Sequence, residues 1–326
     1  MNQGRHIFGR RVLATAGLLV LAWLLCGCHA PGNKAASTAA AVTDPPGTFK
    51  LIGYLPDYHM SAVDARELGR YYSDIILFSI EPTPAGQLDT HRLSPARLAI
   101  VPRLKQAGVR RVLITAGGGF RSSGFAAAAH DSAARLKLVT GLRDYCVRND
   151  FDGVDYDWEM PSSAQEQADY GSLIVETKDA FAPRGLLVTA AVTGNQTLSA
   201  RALAALDRVH LMAYDGPGEH STYDFAVGEA QGWLAKGAAA GKLCLGVPFY
   251  ARETKTRRRH SLSYSYIAAQ VHPEPATDHA GDYYFNGAAT LERKKQYAKD
   301  QGLGGIMVWE VGQDTPDCAL AQALVK

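Results

Sequence analysis

Cysteine is scarce in this 326-residue chain, with five residues at positions 26, 28, 146, 244 and 318. The three in the body are too few for a disulfide scaffold and too widely spaced for a paired metal site. An excess of charge is missing as well. Lys and Arg total 34 against 32 Asp and Glu. Three of the positive charges are Arg5, Arg10 and Arg11, and residues 1–28 hold no acid. Setting those three aside leaves 31 basic against 32 acidic side chains. A near-neutral body lacks the electrostatic footprint of a nucleic-acid-binding protein. Glycine (32) and proline (15) stay near background, which excludes collagen-like and low-complexity chains. Hydrophobic residues at 47% and charged residues at 20% exclude wholesale disorder. A phosphate loop is also absent. Gly117-Gly118-Gly119 follows an apolar run but lacks the G-x-G-x-x-G frame, and no Walker lysine follows.

The one long apolar run, Val12 to Leu25, lies behind those three arginines. It is short of the roughly 20 residues a membrane-spanning helix needs, and it has the layout of a signal peptide. It ends in Leu25-Cys26-Gly27-Cys28, which resembles a bacterial lipoprotein signal. Residues 1–27 are then the signal, and Cys28 is the lipidated first residue of the mature chain. Residues 28–47 are rich in Ala, Pro, Gly, Ser and Thr and read as a flexible tether. The expected location is the cell envelope, held to the membrane by lipid. His29 after the cysteine favours an outer membrane.

From residue 48 to 326 short apolar runs recur: Leu51–Leu55, Ile75–Ile80, Val112–Ala116, Gly153–Trp158, Leu186–Val192, Val209–Tyr214, Leu243–Val247 and Gly304–Trp309. Gly, Pro, Asp or Asn bound them, as turn residues bound strands. Helical spacing lies between them, as in Val139, Leu142 and Cys146, or Tyr170, Ile174, Thr177 and Phe181. Eight runs at about 35 residues per unit have the period of a (β/α)8 TIM barrel. Continuous apolar strands fit a parallel sheet covered on both faces. An open doubly wound sheet is the alternative.

One segment carries three acids at alternate positions: Asp155, Asp157 and Glu159 in Phe151–Glu159. In a strand these share a face, roughly 6.6 Å apart along the chain. Val154, Tyr156 and Trp158 occupy the other face, so the acids cannot all be explained as the wet side of an edge strand. Stacked carboxylates repel and retain protons towards neutral pH. The last acid would sit at the C-terminal end of the strand, where barrel active sites open. Glu159 is therefore the candidate proton donor, with Asp157 its neighbour and Asp155 one layer deeper.

The segment resembles the D-G-x-D-x-D-x-E motif of glycoside hydrolase family 18, the chitinases and endo-β-N-acetylglucosaminidases. Further blocks follow in the family's order across residues 50–314. Gly53-Tyr54 resembles the first-strand G-Y, and Phe78 stands where the second strand carries an aromatic. Thr115-Ala116-Gly117-Gly118 is similar to S-x-G-G. Met212-Ala213-Tyr214-Asp215 is similar to M-x-Y-D, and Gly246–Tyr250 to G-x-P-F-Y. Gly305–Glu310 resembles the last strand with its sugar-platform tryptophan, Trp309.

The resemblance implies cleavage of β-1,4-linked N-acetylglucosamine polymers by a retaining mechanism in which the substrate's 2-acetamido oxygen attacks the anomeric carbon. Glu159 would be the acid and then the base, and Asp157 would orient the acetamide. Asp155 would hold a proton or hydrogen bond in the stack, and Tyr214 would donate to the acetamido oxygen. Trp309, Tyr54, Phe78, Asp215, Met212 and Gly118 are the implied sugar-binding residues, with Met212 as wall. No metal or organic cofactor is implied, and the partners are a glycan and the membrane; a monomer is expected. Cleavage of N-glycan cores or peptidoglycan-type glycans is an alternative, and a non-catalytic sugar-binding protein is another. Three departures stand out. About 55 residues separate Tyr250 from Gly305, leaving little room for an inserted α+β domain and implying an open groove. Thr115 replaces Ser, and Met160 stands where many chitinases have Tyr. The basic stretch around Arg257-Arg258-Arg259 reads as a solvated loop, and Arg252 stands at its edge within reach of a sugar hydroxyl.

Overall fold

A computed structural model describes residues 48–255 and 260–325. The signal, the tether, Cys28 and the three consecutive arginines lie outside the described residues. Eight parallel strands form the core: β1 (Lys50–Pro56), β2 (Asp74–Pro82), β3 (Arg111–Gly117), β4 (Gly153–Asp157), β5 (Leu187–Val192), β6 (Arg208–Leu211), β7 (Leu243–Pro248) and β8 (Gly305–Trp309). Each pairs with the next, and β1 pairs with β8 as well as β2, so the sheet closes into a barrel. The open-sheet alternative is excluded by that closure.

Eight helices cover the strands: α1 (Ala65–Tyr71), α2 (Ile100–Gln106), α3 (Ser132–Arg148), α4 (Ala164–Phe181), α5 (Ala200–Ala205), α6 (Tyr223–Ala235), α7 (Ala288–Asp300) and α8 (Ala319–Val325). Local sequence sets their starts. Asp64, Asp131, Ser163, Ser199 and Thr222 each accept a hydrogen bond from a first-turn backbone N–H. Such a cap contributes about 1 kcal/mol.

Strand alternation divides the core in two. Leu51, Leu55, Ile75, Leu77, Val112, Ile114, Val154 and Tyr156 pack outward against the helices. Ile52, Tyr54, Ile76, Phe78, Leu113, Cys244 and Met307 fill the barrel interior. The register Thr115↔Asp155 and Gly117↔Asp157 puts both aspartates on the inner face.

Two strand ends that differ from the sequence reading bear on the site. β4 stops at Asp157 and β6 at Leu211, so Glu159 and Tyr214 stand on the loops just past the strands. The stretch after β7 also holds more structure than its length implied. Short strands at Tyr250–Glu253, Ser261–Ser263, His279–Ala280 and Tyr283–Tyr284 make a small antiparallel sheet, with a helix at Tyr264–Val271. It is far smaller than a domain, yet it supplies one wall of the site. Cys146 and Cys244 are buried, whereas Cys318 is only half-buried.

Candidate active site

The C-terminal ends of β1, β2, β3, β4, β6 and β8 open around a cleft of about 440 Å³. Phe78, Asp157, Glu159, Met212, Tyr214, Asp215 and Trp309 line it, seven of the ten residues that the sequence assigned to catalysis or sugar binding. Three of the ten lie elsewhere. Asp155 is one layer below, as its position on β4 implied, and is fully buried. Tyr54 was expected against sugar but is 1% exposed, because its hydroxyl turns inward to Asp155. Gly118 was also expected at the sugar. Its role is steric: a Cβ there would lie 2.1 Å from the Phe78 ring, and its φ of +109° suits glycine.

The carboxylates form a graded stack. Asp155 accepts from Tyr54 Oη at 2.6 Å, from Thr189 Oγ1 at 2.6 Å and from His210 Nδ1 at 2.9 Å. Asp157 has no such support, and its Oδ1 is buried without a hydrogen-bond partner. Burial, then the charges of Glu159 and Asp155, hold its carboxyl well above the ordinary carboxylate range. The Glu159 side chain is open to the cleft. Partial removal of water by the surrounding protein raises its carboxyl, Asp215 adds to the rise, and the Gly119 N–H offsets part of it. The pair is thus arranged to keep a proton near neutral pH.

Backbone contacts hold this arrangement in place. Ser122 Oγ accepts from the Glu159 N–H at 3.1 Å and lies 2.9 Å from the Gly118 carbonyl. Gln196 Nε2 donates to the Trp158 carbonyl at 3.0 Å. Trp158 itself stacks on Phe125, 5.2 Å between ring centroids, on the side away from the acids. Asp152 accepts from the Val112 N–H and is structural.

Opposite the stack stands the half-buried Tyr214, whose hydroxyl has one hydrogen-bond contact among the described residues, the Met307 sulfur at 3.9 Å. Burial keeps that phenol protonated, well above its ordinary range. Asp215 is held by Arg252 through two nitrogens, at 2.5 and 2.6 Å, and by Tyr250 Oη at 2.6 Å. Burial would raise its carboxyl, but these donors outweigh burial and hold it below the ordinary range. Arg252 is therefore an ion-pair partner in the cleft wall. Trp309 closes the floor, edge-on to Phe78 at 4.8 Å and tilted over Tyr54 at 5.6 Å.

A sequence profile described as "Glycosyl hydrolases family 18" matches residues 85–314. The chain belongs to that family. It is similar to "Probable chitinase 10" of Drosophila melanogaster, 25% identical, over 63% of this chain and 12% of the relative. It is 27% identical to "Class V chitinase" of Arabidopsis thaliana, over 63% of this chain and 69% of that protein. The barrel superposes on a solved family 18 chitinase from Flavobacterium johnsoniae with a TM-score of 0.76 at 23% identity, covering 85% and 93% of the two chains.

Several residues of this family 18 site escaped the sequence reading. Arg121 lines the cleft, pairs with Asp57 at 3.0 Å and lies 4.8 Å from the Phe78 ring centre. Glu310, fully buried, accepts from Tyr58 Oη at 2.9 Å and lies 3.2 Å from His59 Nε2. Tyr250 was read only as the end of the G-x-P-F-Y block, with no role at the site, and His210 was missed. A Glu after Trp309 was visible as an acid at the end of an apolar run; Arg121 and His210 carried no local signal.

Proposed function

We propose that the protein hydrolyses β-1,4 linkages in chitin-like N-acetylglucosamine polymers, with retention and with the substrate's own acetamido oxygen as nucleophile. The carrying observation is the division of labour among the three carboxylates lining the cleft. Glu159 is accessible and raised, fit to donate a proton to the leaving oxygen. Asp157 carries a buried oxygen with no partner, fit to receive an acetamide N–H. Asp215 is locked by Arg252 and Tyr250 and is not available for attack. Most glycosidases place a second free carboxylate across the bond; here the substrate fills that role.

The steps follow from this geometry. Tyr214 donates to the acetamido oxygen and aligns it with the anomeric carbon, which lowers the entropic part of the barrier. Glu159 gives its proton to the leaving oxygen as the anomeric bond breaks and the oxazolinium ring forms. Asp157 takes the ring N–H and stabilises the positive charge. Glu159, now a carboxylate, removes a proton from water, and the water attacks to open the ring. Trp309 supports the apolar face of the sugar during these steps.

The test is cleavage by residues 28–326, free of the signal, on chitooligosaccharides, a high-mannose glycopeptide and peptidoglycan fragments, read by mass spectrometry. Cleavage of chitooligosaccharides by the wild type and not by Glu159→Gln is expected. Cleavage of another class alone would reassign the substrate. Binding without cleavage would make the protein a sugar-binding relative. We further propose that Cys28 carries the lipid that holds a monomeric enzyme at the cell envelope, on the strength of its sequence context. Membrane fractionation of Cys28→Ala, which should release the protein, checks this.

A further inference from the structure

Beneath the catalytic stack lies a titratable side chain that none of the steps above uses. His210 sits on β6, fully buried, and faces the barrel interior. Its Nδ1 lies 2.9 Å from Asp155 Oδ1 and 3.2 Å from Tyr54 Oη. The ring stands edge-on to Tyr54, with 6.1 Å between centroids. Its Nε2 is buried with no hydrogen-bond partner.

We propose that His210 is a positioning residue for catalysis: it donates from Nδ1 to Asp155 and so holds the carboxylate at the bottom of the stack in place beneath Asp157. This rests on the roles given above to Asp157 and Glu159. The tautomer follows from the donors. A carboxylate only accepts, and Tyr54 already donates to Oδ2 and Thr189 to Oδ1. An Nδ1 at 2.9 Å from that carboxylate therefore carries the hydrogen. Tyr54 Oη, having donated, can accept a share of it.

The surroundings give the imidazole no competing task. His210 contacts Asp155 on β4 and Tyr54 on β1 and is in register with Cys244 on β7, whose thiol is acted on in turn by Lys50 on β1, Asp74 on β2 and Arg208 on β6. Arg208 is closed onto Asp74 at 2.8 Å. Lys50 Nζ donates to the Thr48 carbonyl. Burial pushes the Cys244 thiol up to about 11, so it is neutral. Asp155 is left as the acceptor that Nδ1 addresses, and Asp155 repels charge on Asp157.

The sign of the effect is fixed. Without the donor, the Asp155 carboxylate is no longer held beneath Asp157, and the repulsion that helps to raise the Asp157 carboxyl weakens. The loss should fall on turnover, since His210 touches no sugar.

The experiment compares wild type, His210→Leu and His210→Asn. The leucine removes the donor, and the asparagine offers an amide N–H of similar reach that does not titrate. For His210→Leu, kcat should fall about tenfold or more with KM little changed. His210→Asn should restore the rate. A leucine variant with the wild-type kcat and a lower melting temperature would mean a structural role and overturn the inference. The wild type alone provides a second readout. Nitrogen-15 spectra of histidine-labelled protein, assigned against His210→Asn, should show the ring hydrogen on Nδ1. A bare Nδ1 there would overturn the proposal. A wild type that cleaves none of the glycans would overturn the catalytic reading and this one together, whereas an active wild type isolates the failure to His210.

Discussion

Removing one oxygen atom from Tyr214 should separate catalysis from stability. In Tyr214→Phe the ring remains, and with it the packing against Tyr250 at 6.2 Å between centroids. The hydroxyl has one hydrogen-bond contact, a thioether sulfur at 3.9 Å, which is a weak acceptor at long range. Its loss should therefore cost less than about 0.5 kcal/mol of folding stability. For a barrel of this size that is a shift in Tm of no more than about 2 °C. The catalytic cost is larger, because in the proposed mechanism this hydroxyl aims the attacking oxygen. Loss of one preorganised donor in other enzymes lowers kcat about 10²- to 10³-fold, or about 2.7–4 kcal/mol. The assay pairs kcat and KM on a chromogenic chitobioside with a thermal melt. A rate within threefold of wild type would refute the role given to Tyr214. A melt lowered by far more than about 2 °C would refute the claim that its hydroxyl is idle in the free protein.

Three further outcomes follow from the site and its supports. Asp215→Asn removes a charge that raises the Glu159 carboxyl, so the alkaline limb of kcat/KM should move to lower pH; an unmoved limb would contradict the coupling. Gly118→Ala adds a methyl 2.1 Å from Phe78 at a φ of +109°. Strain of about 1–3 kcal/mol and a similar overpacking cost should lower Tm by about 4 °C or more in calorimetry, and an unchanged Tm would contradict the contact. Lys294 is fully buried on α7 and donates to the Ser221 carbonyl at 2.7 Å; burial pushes its amine down to about 7 from 10.5. Between those values the unfolded chain binds the proton and the folded chain does not, so wild-type stability should gain from rising pH across that window. Denaturant titrations near pH 7 and near pH 10 should show Lys294→Met lacking that gain, and parallel curves for the two proteins would exclude it.

What was legible in the chain was what repeats locally. The apolar runs marked all eight barrel strands, since strands buried on both faces leave few polar interruptions. The alternation of 154, 156 and 158 with 155, 157 and 159 assigned the acids to one face before any contact was seen. Features made by distant pairing were not legible. Tyr54 and Asp155 are 101 residues apart in sequence, and nothing near Tyr54 says that its hydroxyl turns down to a carboxylate instead of up to a sugar. His210 and Asp155 are 55 apart, and a single histidine in an apolar run reads as core. The small sheet after β7 escaped because its strands are two to four residues long, below the length at which period-two alternation can be recognised. Arg252 looked like the edge of a basic loop, and only the fold brings Asp215 to it.

The central claim is that the attacking oxygen belongs to the substrate. The most direct measurement is kcat/KM for a series of aryl glycosides of N-acylglucosamine or its dimer in which the acyl methyl carries none, one, two or three fluorines. Fluorine withdraws electrons from the carbonyl oxygen and leaves the sugar otherwise similar in shape. If that oxygen attacks the anomeric carbon, the logarithm of the rate should fall steeply and in order with fluorine number. A flat series, with the trifluoroacetyl substrate cleaved as fast as the acetyl one, would mean that a group of the protein attacks, and the mechanism built here on Glu159, Asp157 and Tyr214 would be wrong.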